Sequence, residues 1–321
     1  MTSYPLYTKI RKTGLLACIV GGFLLSLGVT FLPAPQPYVM VLGIAQDAGY
    51  PQAGCEKRCC KPFWQGKTHR KLVASLALVD PAFGKAYLFD ATPDFPTQLQ
   101  RLRTQLHKSE PWLPDGIFLT HAHIGHYTGL MHLGREVMGT KDIPVFAMPK
   151  MRSFLSENGP WQQLIALANI RLSPLKKDTA TVLRKGLQVF PILVPHRDEY
   201  SETVGFRIEH GNHKLLFIPD IDKWEKWNRS LSTELKTVQI ALLDGTFFRN
   251  GELPNRDMSE VPHPFVVETM ALLKNAPAQE RKKVVFIHFN HTNPLLRDAE
   301  ARKEVIQAGF GIAEELQLFH L

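Results

Sequence analysis

From residue 38 onward the chain alternates short apolar runs with Gly-, Pro- and Asp-rich breaks. This pattern predicts strands joined by tight loops, with a few amphipathic helices between them. Residues 39–43 read as a buried strand, and residues 72–79 and 86–90 as a hairpin turned at Pro81-Ala82-Phe83-Gly84. Residues 97–107 carry Leu99, Leu102 and Leu106 on one helical face. Residues 116–119 form a short strand pattern, and Leu130, Met131, Leu133, Val137 and Met138 then follow at helical spacing. Beyond it lie a strand over 144–148, short helices over 150–158 and 162–168, a strand over 187–195, and a second hairpin, 203–208 with 214–218, around Gly211-Asn212. Apolar strands over 241–243 and 284–287 complete the pattern. His121, His196, Asp220, Asp244 and His288 each stand just past such a strand, a recurrence that points to one shared site.

The densest chemistry is in Thr120-His121-Ala122-His123-Ile124-Gly125-His126, on the predicted strand-to-helix loop. Three imidazoles within six residues suit a metal. His121 and His123 can converge on one ion, while His126, on the first helical turn, faces a second position. Cys55, Cys59 and Cys60 form a second cluster, in a tight loop between Gly54 and Pro62. Two readings stand for it: a thiolate metal site needing a fourth ligand from far along the chain, or a disulfide plus a spare thiol. Asp90, at the end of the first hairpin, is placed to orient ligand histidines or to cap the following helix.

Length and charge narrow the function. At 321 residues and 44% hydrophobic content, the chain can bury a large core. The formal charge of +8 is spread along the chain without a basic tract, which excludes an evident nucleic-acid surface and favours an anionic small-molecule substrate. Before the globular part, Lys9, Arg11 and Lys12 precede an apolar run over 15–32, which contains Cys18 and ends at Pro33-Ala34-Pro35-Gln36-Pro37. Residues 1–36 therefore read as an export signal or an uncleaved membrane anchor with a Pro-rich linker. That reading leaves 37–321 as one domain outside the cytoplasm, periplasmic or otherwise extracytoplasmic.

These residues carry a family resemblance. Asp90, the His121-x-His123-x-x-His126 run, His196, Asp220 and His288 resemble, in order, the motifs of the metallo-β-lactamase superfamily. The resemblance implies an α/β, four-layered αβ/βα sandwich with the site at the edge where two sheets meet. Gly49-Tyr50-Pro51-Gln52, Asp90-Ala91-Thr92-Pro93-Asp94, Leu243-Asp244-Gly245-Thr246-Phe247-Phe248 and Thr292-Asn293-Pro294 resemble its pyrroloquinoline-quinone biosynthesis protein B (PqqB-like) branch. That branch implies a structural zinc at Cys55, Cys59 and Cys60 with His291 as fourth ligand. It also implies one or two zinc, iron or manganese ions at His121, His123, His126, His196, Asp220 and His288, with Asp220 bridging or orienting. His263, between Pro262 and Pro264, resembles a pocket residue of the branch and joins Asp220 as a catalytic candidate. The chain departs from the superfamily at Gly125, where the motif has a metal-binding Asp. Asp47 or Asp222 is the candidate to compensate. The N-terminal apolar run is a second departure.

A metal at His121, His123 and His196 would lower the pKa of a bound water and polarise a carbonyl or phosphoryl oxygen. The expected activity is hydrolysis of an ester, phosphodiester or amide. The rivals are an iron-dependent hydroxylase or other quinone-biosynthesis oxidoreductase, and a binding protein with a decayed metal site, the latter motivated by Gly125.

Overall fold

The computed structural model describes residues 35–109, 112–254 and 256–321. In chain order, the first half supplies β1 (Tyr38–Gly43), β2 (Ser75–Asp80), β3 (Lys85–Phe89), β4 (Gly116–Phe118), β5 (Ile143–Ala147) and β6 (Ile170–Pro174). The second half supplies β7 (Thr181–Arg184), β8 (Leu187–Leu193), β9 (Val204–His210), β10 (His213–Ile218), β11 (Ile240–Asp244), β12 (Val284–Ile287) and β13 (Gly311–Ile312). The last strand, β14 (Leu318–His320), returns to the first sheet and pairs antiparallel with β1. Two seven-stranded sheets result, ordered β14-β1-β2-β3-β4-β5-β6 and β13-β12-β11-β10-β9-β8-β7.

Alternation along the strands explains the layering. In β1, Val39 and Val41 face the second sheet, where Val189, Phe206, Ile208 and Phe217 pack with Phe89 and Phe118. Met40 and Leu42 point the other way, onto Leu99 and Leu102 of the helix Phe95–Gln105. Buried on both faces, these strands read as continuous apolar runs. Leu231, Leu235, Val266 and Val305, from helices Leu231–Thr237, Val266–Leu272 and Ala299–Gln307, join the core that contains the second sheet. The architecture is a four-layered α/β sandwich.

Strands β3 to β6 run parallel to one another, as do β10 to β13. Parallel strands deliver their C-terminal ends to one edge, where open α/β sheets bind ligands. The loops carrying Asp90, His121, Asp220, Asp244 and His288 leave from such ends.

Two expectations are corrected. The helical spacing after the histidine loop is broken into a short helix, Ile124–Tyr127, and a 3-10 turn, Thr128–Leu133. There a Cβ at Gly129 would lie 2.2 Å from the Thr92 carbonyl oxygen and 2.7 Å from Phe95 Cβ, so only glycine fits at this close approach. The expected membrane anchor, and with it the periplasmic placement, has no support: among the described residues no helix is long and apolar enough to cross a membrane. The apolar run itself lies outside the described residues.

Candidate metal centre

Two hydrogen-bonded chains of Asp, Thr and His build the site. Thr120 Oγ1 donates to the Asp90 carboxylate (2.9 Å) and accepts from His121 Nδ1 (3.0 Å), and the Thr120 amide donates to Asp90 Oδ1 (2.8 Å). In the second sheet, Thr246 Oγ1 donates to Asp244 Oδ1 (2.7 Å) and accepts from His288 Nδ1 (2.9 Å). His126 Nδ1 donates directly to Asp90 Oδ2 (2.7 Å). Each Nδ1 is thereby occupied, which fixes the ring and turns Nε2 towards the centre. Asp90 and His288 hold left-handed backbone, with φ of 67° and 69°. Such strain costs on the order of 1–3 kcal/mol per residue and persists where surrounding bonds enforce it. Ser201 Oγ accepts from the Ala122 amide (2.8 Å), and the Thr120 carbonyl accepts from Val204 N (3.1 Å), tying the histidine loop to the second sheet.

The donors converge in two four-residue sets that share Asp220, which also groups with Asp244 and His263. His121, His123, His196 and Asp220 form the first, with all ligand atoms within 4.8 Å of one another. His121 Nε2 is 2.8 Å from His123 Nδ1, and Asp220 lies 3.5 Å from His121 Nε2 and 3.3 Å from His196 Nε2. Asp47, His126, Asp220 and His288 form the second. Two nitrogen or oxygen donors each about 2.0–2.1 Å from one tetrahedral ion stand about 3.4 Å apart, which the two Asp220 spacings match, while His121 and His123 stand at hydrogen-bond distance. Buried atoms make the same point: both ring nitrogens of His196 and Asp220 Oδ1 have no hydrogen-bond partner. Buried polar atoms without partners are rare, and a cation at this point would satisfy them.

Electrostatics agree with a cation-binding role. Burial opposes ionisation of Asp220, but His196, His263 and His288 outweigh it and hold the carboxyl well below the usual range. Asp47 is held well below as well, against burial, by His126 and His288. Burial, helped by His126, keeps His121 well below the usual imidazole range, so it stays neutral and able to ligate. His263 is buried, with Nδ1 2.9 Å from Asp244 Oδ2 and 3.2 Å from Asp220 Oδ1. Burial alone would lower it, yet the two carboxylates push it up to about 9.

Cys55, Cys59, Cys60 and His291 form a separate buried set. Cys55 Sγ is 3.7 Å from Cys59 Sγ, and His291 Nδ1 is 3.6 Å from Cys59 Sγ and 3.4 Å from Cys60 Sγ. Thiolates about 2.3 Å from one tetrahedral ion stand about 3.8 Å apart, which these spacings match. All three are free cysteines, so the disulfide reading does not apply. Burial raises the Cys60 thiol to about 12, and a divalent ion would hold it as thiolate. The donor sets support zinc binding. Cys18 lies outside the described residues.

Every sequence-predicted site residue falls in one of these sets or, for His263, against Asp220 and Asp244. Asp222 does not: its carboxylate accepts from Lys226 Nζ (2.7 Å). Asp47, one of the two candidates to compensate for Gly125, belongs to the second set, and the site further includes Thr120, Thr246 and Glu199, the last 3.2 Å from His123 Nε2, whose positions carry no metal-ligand pattern in the sequence. Trp224 and Trp227 are core residues, bonded to Thr269 and to the Leu193 carbonyl. Phe247 and His263 line a cleft of about 360 Å³. A larger hollow of about 820 Å³ around Arg249, Glu300 and Lys303 contains none of the histidine or aspartate donors.

Behind the metal loops, Glu252 accepts from Phe248 N (2.7 Å) and Thr292 Oγ1 (2.5 Å). Burial raises its carboxyl to about 6, against the bonds that favour the anion. The folded state therefore holds this proton more tightly than the unfolded chain, and stability is lost as pH rises from the ordinary carboxyl range through about 6. Glu252→Gln removes that loss: its Tm relative to wild type should rise by about 2–4 °C between pH 4.5 and 7 in calorimetry, and a pH-independent difference contradicts the assignment.

Residues 85–289 match the Beta-lactamase superfamily domain. The coenzyme PQQ synthesis protein B of Methylorubrum extorquens (strain PA1) is 25% identical over 301 residues, covering 87% of this chain and 98% of that protein. The crystal structure of Zn(2+)-bound PqqB from Methylobacterium extorquens superimposes with a TM-score of 0.74 at 22% identity, over 88% of this chain and 100% of that one. A diphosphatase from the PhnP family superimposes with a TM-score of 0.64 at 21% identity, over 89% and 98% of the two chains. With its two sheets, its strand-end histidines and aspartates and this match over most of its length, the chain belongs to the β-lactamase superfamily, has the metallo-β-lactamase fold and is PqqB-like.

Proposed function

We propose that the protein is a metal-dependent hydrolase of a small anionic phosphoester, a phosphodiester or diphosphate. The observation that carries this reading is Asp220, shared by two donor sets and in contact with His263 beside a cleft that holds Lys57, Arg197 and Arg256. Among the described residues, none of these three cations makes an ion pair with a carboxylate. Three cations together favour an anion in that cleft over a neutral amide or lactone. The fold likeness to a diphosphatase supports the same class.

A divalent ion at these donors supplies Lewis acidity towards the phosphoryl oxygen and lowers the pKa of the attacking water. The chain's own residues do the rest. His121, His123 and His196 would hold the first position and His126 and His288 the second, with the rings of His121, His126 and His288 aimed by Thr120, Asp90 and Thr246. Asp220, common to both donor sets, would orient the water. His263, kept protonated by Asp244 and Asp220, donates its Nε2 proton to the leaving oxygen. Lys57, Arg197 and Arg256 bind the substrate's non-reacting anionic group.

The test is a panel of bis-p-nitrophenyl phosphate, nucleoside diphosphates, carboxylic esters and lactams, assayed on full chain loaded with zinc, manganese or iron. Chelator-sensitive phosphoester turnover is expected. Arg197→Ala should raise KM for the phosphoester about tenfold with kcat little changed, because it removes binding common to ground and transition states. The PQQ-synthesis relatives support a second reading, an iron enzyme of quinone biosynthesis. Oxygen consumption by the iron form without phosphoester turnover would favour that reading and overturn the first.

A further inference from the structure

The position that departs from the superfamily motif, Gly125, faces a residue 78 positions earlier. A Cβ built on Gly125 would lie 2.5 Å from Asp47 Cα, 2.6 Å from its Cβ and 2.6 Å from its Cγ. The body of Asp47 thus fills the volume that a side chain at 125 would need. Its carboxylate continues into the centre, with Oδ1 3.0 Å from His126 Nε2 and 3.2 Å from His288 Nε2. Asp220 Oδ2 stands 3.6 Å and 3.7 Å from the same two nitrogens.

The hydrogen bonding of these groups calls for a cation. Nδ1 of His126 is spent on Asp90, and Nδ1 of His288 on Thr246. In the neutral tautomer each Nε2 then presents a lone pair, facing two carboxylate oxygens that are also acceptors. Four acceptors at such distances repel unless a metal ion, or a proton on an imidazole, lies among them. Backbone bonds keep Asp47 in place: Gln46 N donates to Phe289 O and Phe289 N to Ile44 O, both at 2.8 Å, and Asn290 Nδ2 donates to Gln46 Oε1 at 2.8 Å. The loop after β1 is therefore fastened to the segment that carries His288.

We propose that Asp47 supplies the carboxylate ligand of the second metal position in place of residue 125, so that this ion is held by Asp47, His126, Asp220 and His288. The inference rests on metal occupancy of the histidine site and not on the reaction there. Glycine at 125 is the complement of this exchange, since any larger residue would displace the ligand. The motif's carboxylate has moved to another loop, and the charge of the site is unchanged.

The test reads metal content by elemental mass spectrometry on full chain loaded with zinc and dialysed. Wild type should hold about three equivalents: one at the cysteines and two at the histidines. Asp47→Asn, which keeps the size of the side chain, should lose about one equivalent with an unchanged circular dichroism spectrum. The exchange variant Asp47→Gly/Gly125→Asp should regain it, whereas Gly125→Asp alone, with both carboxylates in one volume, should not exceed the Asp47→Asn value. Asp47→Asn retaining three equivalents, wild type holding no more than two, or a folded exchange variant remaining at two would each overturn the proposal. If the exchange variant does not fold, Asp47→Asn still decides. Because the readout needs no substrate, absence of hydrolysis would overturn the proposed function and leave this result standing.

Discussion

Asp220→Ala is expected to lower kcat/KM for phosphoester hydrolysis by about 1,000-fold or more and to empty both histidine positions, with the cysteine position still loaded. The carboxylate lies within 3.2–3.7 Å of His263, His196, His121, His126 and His288. Without it, five imidazoles surround a buried space with no bridging anion. His263 also loses one of the two carboxylates that keep it protonated. Asp220→Asn retains the volume and one oxygen donor, so it should fold like wild type and still lose most activity. Metal analysis beside a phosphodiester assay checks both outcomes. An Asp220→Ala protein that keeps its full metal content and turnover would remove Asp220 from the centre of the site.

The second large effect is on stability. Cys59→Ser should release the cysteine-site ion and lower the Tm by about 10 °C, the consequence of losing several kcal/mol of metal-linked folding energy. The local core around this ion is small: Ala45, Tyr50 and the three cysteines, with Phe63 and Leu296 against them. Beyond it the segment is held by few bonds, among them Tyr50 Oη to the Cys59 carbonyl (2.9 Å) and Trp64 Nε1 to the Cys55 carbonyl (2.7 Å). Chelation of wild type should reproduce the loss. Limited proteolysis should then cut within residues 55–66 before any other part of the domain. Asp47 lies eight residues before Cys55 and His288 three before His291, so loosening this segment should also weaken the second histidine position. A Cys59→Ser protein with wild-type Tm and metal content would contradict the assignment.

Much of this site is legible from residue order because its ligands follow apolar strands. His121, His196, Asp220 and His288 each end such a run, and parallel strands gather those ends at one edge. Asp47 is not legible in that way. It sits in a Gly- and Pro-rich loop, and its partners, His126 and His288, come near only through the fold. The short edge strands are obscure for another reason: β6 and β7 show mixed burial, so their apolar alternation is weak. Strands β13 and β14, of two and three residues, are too short to carry a period. The helical spacing of 129–138 misleads because apolar residues there, Met131, Val137 and Met138 among them, are exposed rather than aligned on a buried face.

Pairing of β14 with β1 bears on how the protein is made. Tyr38, Val39 and Met40 pair with His320, Phe319 and Leu318, and Leu316 N donates to the Val41 carbonyl (2.7 Å). A ribosome delivers β1 nearly three hundred residues before its partner. Throughout that interval one side of β1 offers unpaired amides and carbonyls beside strongly apolar side chains, the kind of edge that recruits strands from other chains. The first sheet is sealed on this side only once residues 318–320 have left the ribosome, so the β1 edge stays open to foreign strands for most of the domain's synthesis.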